Sequence, residues 1–229
     1  DWYTLLSTGV SRAVRRGCVS LQENWRHAPP RPVAEVAADI VAGVVSQMLV
    51  FRRLLTRAHE DPVACAFPAV LEELSSVQLA APYYIVVGGP AQGQAAVITR
   101  GLHSAENVTV LRPAAALAAG DDYFLAQSNY DRWLPDDAAD PRRTAAELTL
   151  RRLGAGEGAT QLGLMAVASE YPVHNPHTAY TALMSAATGE LHAFVREASC
   201  PLDVDATVVP EGRYCRPAPP PGAPAIALV

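Results

Sequence analysis

Two short runs concentrate the side chains able to do chemistry. Ser128-Asn129-Tyr130-Asp131-Arg132-Trp133 packs amide, phenol, carboxylate, guanidinium and indole together where a β-prone stretch ends. Strand ends on a rigid scaffold are where polar groups are offered to a site. A little further on, Asp140-Pro141-Arg142-Arg143-Thr144 opens a helical pattern with an N-cap aspartate and two arginines. The alternative is a capped turn with ion pairing, and on residue types alone the capped turn is the favoured reading.

Other candidates carry less. Gly154-Ala155-Gly156-Glu157-Gly158 follows a helix instead of a strand and has no Lys-Ser/Thr after it, so it reads as a linker and not as a phosphate loop. His174 and His177 have no carboxylate or third histidine at ligand spacing, and the four cysteines form no CxxC pair, so neither a metal site nor a cofactor is expected. No G-x-S-x-G elbow exposes a serine. Cys200 and Cys215 bracket a polar, proline-bearing segment that a disulfide would usefully close, but two unrelated thiols fit the spacing equally. Asn107-Val108-Thr109 is a glycosylation sequon, meaningful only in a secretory protein.

The elements that must position these groups follow from periodicity. Val33 to His59 has helical one-face spacing and reads as one long amphipathic helix. Asp61-Pro62 supplies an N-cap and an N1 proline for a second helix to about Val77. Tyr83 to Val87, Ala95 to Thr99, Asn107 to Leu111 and Asp122 to Gln127 are short β-prone runs separated by turn residues, an antiparallel meander. Helices are expected over Arg142 to Leu153 and Gln161 to Ala168, then strands over Thr178 to Ser185 and Glu190 to Arg196. Helices, strands, helices, strands is an α+β order. Residues 1–213 read as one domain and 214–229 as a proline-rich tail.

Composition excludes whole classes. Half of the 229 residues are hydrophobic and 18% are charged, which describes a chain able to bury a core. A net charge of −5 gives no nucleic-acid footprint. The most apolar stretch, Val33 to Phe51, is broken by Glu35, Asp39, Ser46 and Gln47 and is not a membrane span. The chain starts at Asp1 without methionine, so a processed or partial polypeptide is expected.

A series of segments resembles one family. Ala81 to Gly89, Ala96 to Arg100, Ser128 to Trp133, Arg142 to Thr144, Pro172 to Asn175 and Thr178 to Ser185 are similar, in order and approximate spacing, to acid ceramidase and N-acylethanolamine acid amidase. Asn-Tyr-Asp-x-Trp followed by Asp-x-Arg-Arg-Thr is the specific part. Ser20 to Asn24 resembles that family's strand carrying a site glutamate, Phe51 to Ala58 its Phe-Leu-x-Arg helix, and Arg196 to Cys200 with Cys215 its C-terminal cysteine pair.

The resemblance implies an N-terminal-nucleophile hydrolase: an αββα sandwich of antiparallel sheets between helical layers, with a self-cleaving precursor that yields a small N-terminal subunit. It implies a cysteine nucleophile whose α-amine serves as base, a lipid amide substrate of the ceramide or N-acylethanolamine class, and a lysosomal or secreted location. It assigns Asn129 to the oxyanion, Arg142 to fixing site geometry and Glu23 to a place near the nucleophile. It also implies a Cys200–Cys215 disulfide and a glycan on Asn107. The family's nucleophile opens a Cys-Thr-Ser run followed by Gly-Arg-Asn-x-Asp, and neither occurs here. Cys18 in Gly17-Cys18-Val19-Ser20 imitates that start, but using it would delete the arginine-aspartate motif. The expectation is therefore a lipid-amide hydrolase with its nucleophile upstream of Asp1, inactive as residues 1–229 alone. The other expectation is a non-catalytic subunit serving as a binding or assembly module in a larger complex.

Overall fold

In the computed structural model, residues 4–7, 12–112, 122–175, 178 and 180–195 are described. Residues Ser20 to Asn24 are buried on both faces of a strand, with Ser20, Gln22 and Asn24 on one face and Leu21 and Glu23 on the other. That strand, β3 (Ser20–Trp25), follows β2 (Arg12–Val14) and is paired with β4 (Tyr83–Gly88). With β5 (Ala95–Arg100) and β6 (Ala105–Val110) they form a five-stranded antiparallel sheet ordered β2-β3-β4-β5-β6. A second antiparallel sheet, ordered β1-β7-β8, joins β1 (Thr4–Ser7), β7 (Tyr180–Met184) and β8 (Leu191–Val195).

Each sheet is backed by helices, the αββα arrangement. Against the five-stranded sheet lie α2 (Gln47–Glu60) and α3 (Phe67–Ser76), and Leu54, Val70 and Leu74 meet Leu21, Ile85, Val87 and Ile98 in one fully buried cluster. Each such side chain contributes roughly 1.5–3 kcal/mol on burial, so this layer carries the greater part of the core. Against the other sheet, α4 (Arg142–Gly158) and α5 (Gln161–Ser169) bury Leu150, Leu164 and Val167 on Leu183 of β7. Of the paired strands, β6 is an edge, and Asn107 is exposed on it, accepting from the Thr109 hydroxyl at 3.0 Å.

Several expected elements are corrected. The long first helix is two, α1 (Val33–Val41) and α2, because Gly43 takes the left-handed conformation (φ 79°) that ends a helix. None of the residues of α1 is buried, and Val33, Ile40 and Val41 stay exposed. The second helix starts as a 3₁₀ turn, Pro62–Cys65, with Asp61 capping the Val63 N–H at 2.9 Å, and becomes α3 at Phe67-Pro68. Residues 122–127 are not a strand. The carbonyls of Ala126 and Gln127 accept from the Arg132 and Asn24 side chains instead of from a neighbouring strand. Gly154 (φ 70°) breaks α4 where the helix was expected to stop. Asp140 is not the cap of α4; its carboxylate turns to Arg142, and Asp136 accepts the Thr144 N–H at 2.7 Å.

The cysteines are also corrected. Cys18 is bonded to Cys65, so it is neither a free thiol nor an imitation nucleophile. Cys200 and Cys215, expected as a pair, lie outside the described residues, as does the tail.

Candidate functional site

The first of the two chemical runs sits on the exit of β3. Asn24 Nδ2 donates to Gln127 O at 2.9 Å and to Ser128 O at 3.4 Å, and Gln22 Nε2 donates to Asn24 Oδ1 at 2.7 Å. Asn129 Nδ2 donates to Trp25 O at 2.6 Å. The Arg26 guanidinium grips the Asp131 carboxylate with both ends of its fork, Nε at 2.8 Å and Nη2 at 2.9 Å. Thus three consecutive residues, Asn24, Trp25 and Arg26, hold the loop on both sides of Asn129 and at Asn129 itself.

The second run closes the site from α4. Arg142 Nη2 donates to Asn129 Oδ1 at 2.7 Å, while Nε and Nη2 also bind the two oxygens of Asp140 at 2.6 and 2.8 Å. With Oδ1 taken by a guanidinium, the Asn129 amide has one orientation. One N–H goes to Trp25 O and the second remains for another acceptor. The Asp140 carboxylate holds the Arg142 pKa above its ordinary value despite burial, so this cation is permanent. Arg143 ties the same helix to the loop through an ion pair with Asp136 at 3.1 Å and donations to the carbonyls of Asp131 and Leu134.

Asn129 and Arg142 border a cavity of about 200 Å³ between the five-stranded sheet and α4–α5. Gln22, Asn24, Gln127 and Ser128 add polar lining, and Val86, Leu111, Leu125, Leu150, Leu164 and Val167 make the rest apolar. The Gln22 Oε1 and Ser128 Oγ acceptors are buried at this wall with no partner among the described residues. A permanently oriented amide donor beside unused acceptors, on an apolar chamber, can bind an amide carrying a hydrocarbon chain.

Glu23 is not brought to this site. It is buried on β3, but alternation along the strand points it with Leu21 to the α2–α3 side, where its charge raises the Tyr83 pKa on top of the effect of burial. Residues that motif reading gave no role are Gln22, Asn24, Arg26 and Tyr84. For Gln22, Asn24 and Arg26 a signal was available: polar side chains at every second position from Ser20 to Arg26. Among the described residues no group of three or more His, Cys, Asp or Glu is placed to hold a metal ion, and no helix is long and apolar enough to cross a membrane.

Burial pushes the Asp131 carboxyl up, but the Arg26 fork and the Tyr84 hydroxyl, 2.7 Å from Oδ1, outweigh it and hold the pKa below its ordinary value. A depressed carboxylate adds stability above its unfolded pKa, about 3.9, and loses it as pH falls through the folded value. The melting-temperature gap between the parent and Asp131→Asn is therefore expected to be constant from neutral pH to about 5 and to close below about 4. A gap that closed between neutral pH and 5 would show that the carboxylate is not held in the ionised form.

These features coincide with known proteins. No protein-family model matches the chain. The guinea pig (Cavia porcellus) N-acylethanolamine-hydrolyzing acid amidase is 35% identical over 122 residues, 53% of this chain and 33% of that protein. Human acid ceramidase is 32% identical over 128 residues, 56% of this chain and 30% of that protein. The chain spans about a third of the length of the curated relatives it matches. The solved Caenorhabditis elegans N-acylethanolamine-hydrolyzing acid amidase ortholog superposes with a TM-score of 0.54 at 20% identity, over 81% of each chain. The fold is thus that of the N-terminal-nucleophile hydrolases, antiparallel sheets between helical layers. With that fold, the curated proteins the chain is similar to are N-acylethanolamine-hydrolyzing acid amidases and acid ceramidases.

Proposed function

We propose that this chain is part of a lipid-amide hydrolase whose cysteine nucleophile is carried by a segment outside residues 1–229. The observation that carries the reading is the Asn129–Arg142 pair on the apolar cavity: a charged fork fixes an amide so that one N–H is left for a developing oxyanion. The relatives named for ceramide or N-acylethanolamine chemistry supply the substrate class. A thiolate adds to the amide carbonyl carbon, and the carbonyl oxygen takes the charge and the Asn129 hydrogen bond. The C–N bond breaks as the amine leaves with a proton, and water hydrolyses the thioester to a carboxylic acid and the thiol. Arg142 holds the donor in place and stays outside the bond changes.

The nucleophile is assigned elsewhere because Cys18 and Cys65 are consumed in their disulfide and the family's Cys-Thr-Ser run does not occur in residues 1–229. In this reading Glu23, buried among the α2–α3 side chains, takes no part at the carbonyl. A small subunit released by self-cleavage would precede the nucleophile. The disulfide and an exposed sequon at Asn107 both suit an oxidising compartment, so a lysosomal or secreted, glycosylated protein is part of the proposal. No feature of the described residues favours the other reading, a non-catalytic assembly module.

The test is hydrolysis of fluorogenic N-acylethanolamine and ceramide analogues by the complete protein. Turnover is expected from the complete protein, none from its upstream Cys→Ala variant and none from residues 1–229 alone. Turnover by residues 1–229, or none by the complete protein with either analogue, would overturn the assignment.

A further inference from the structure

We propose that Asp131 and Arg26 are positioning residues for Asn129, clamping the loop that carries it to the exit of β3. This rests on the oxyanion reading of Asn129. The amide that must meet the oxyanion sits on a loop, and loops carry the least intrinsic precision. Here the loop is fastened to consecutive residues of a strand, with the Arg26–Asp131 clamp two residues beyond Asn129 and the Asn24 amide two residues before it. The clamp is the stronger of the two, because a guanidinium and a carboxylate meeting in two parallel hydrogen bonds fix angle as well as distance.

Every element packed on the clamp contributes. From β4 the Tyr84 hydroxyl donates to Asp131 Oδ1 at 2.7 Å. From β6, Glu106 binds Arg26 Nη1 at 2.8 Å, and the Arg100 carbonyl of β5 accepts from the same nitrogen at 3.3 Å. From α4, Arg143 donates to the Asp131 carbonyl at 3.3 Å. Three strands and a helix thus converge on the clamp, β4 and α4 on Asp131 and β5 and β6 on Arg26, and neither Arg26 nor Asp131 lines the cavity. Their effect on turnover must pass through Asn129.

A double-mutant cycle in the complete protein tests this. Asp131→Asn is expected to lower kcat about 10- to 100-fold with KM little changed, since a shift of about 1 Å in a positioned group costs that much. On an Asn129→Ala background the same change is expected to cost less than about 3-fold, because the group it positions is gone. Arg26→Lys keeps the charge but loses the fork, and should reduce kcat in the same direction. Should Asp131→Asn fail to fold, Tyr84→Phe, which removes one hydrogen bond, carries the cycle with a loss of about 3-fold. Full additivity, or a lowered melting temperature with kcat unchanged, would make the clamp merely structural and overturn the inference while leaving the oxyanion reading intact. If Asn129→Ala itself left kcat unchanged, that underlying reading would fall, and this inference with it.

Discussion

Replacing Asn129 by alanine in the complete protein is expected to lower amide turnover about 10²- to 10³-fold, the effect of deleting one oxyanion donor. The size follows from preorganisation. Arg142 binds Oδ1 at 2.7 Å and Trp25 O takes one N–H at 2.6 Å, so the amide needs no reorientation when the oxyanion forms. Alanine removes the donor and leaves Arg142 with both oxygens of Asp140, so no buried cation is stranded. The lost hydrogen bonds sit at a partly exposed position, and the stability cost should stay near 1 kcal/mol. Measuring kcat and thermal unfolding on the same preparation separates the two effects. A variant that melts early but turns over normally would make Asn129 a turn residue.

The site was legible where polar side chains crowd into a few residues, and illegible where their partners lie far away in sequence. Asn129, Arg142 and Arg143 stand in two short motifs, and the structure brings the first two to 2.7 Å. Arg26 and Asp131 are separated by 105 residues, and their contact follows only from the pairing of β3 with β4 and the return of the loop. Glu23 shows how faces divide along a strand. Its strand was recognised, but one position along a strand exchanges faces, and the polar groups on the cavity are Gln22 and Asn24. The supposed strand over 122–127 failed because β-prone composition says nothing of who will accept its hydrogen bonds, and here side chains do. The break at Gly43 was in the sequence all along, where apolar periodicity continued past it and hid a helix end.

Cys18→Ser is expected to cost about 4 kcal/mol of stability, lowering the melting temperature by roughly 8–16 °C, with turnover of the folded protein preserved. The bond joins positions 47 apart, and closing a loop of that length removes about this much free energy from the unfolded chain's side of the balance. Cys18 is 1% exposed among Val19, Leu21, Phe51 and Leu54, so the loss also unpacks the α2–α3 layer where β3 begins. Cys65→Ser should cost a similar amount, and the double variant little more, since the pair acts as one unit. The same strand carries Asn24 and Arg26 at its other end, so below the melting transition the loop holding Asn129 should remain in place. Thiol titration of the native protein should find neither sulfur. A reactive Cys18 thiol, or a Cys18→Ser protein that is folded and catalytically dead, would restore Cys18 as the nucleophile and remove the need for one upstream.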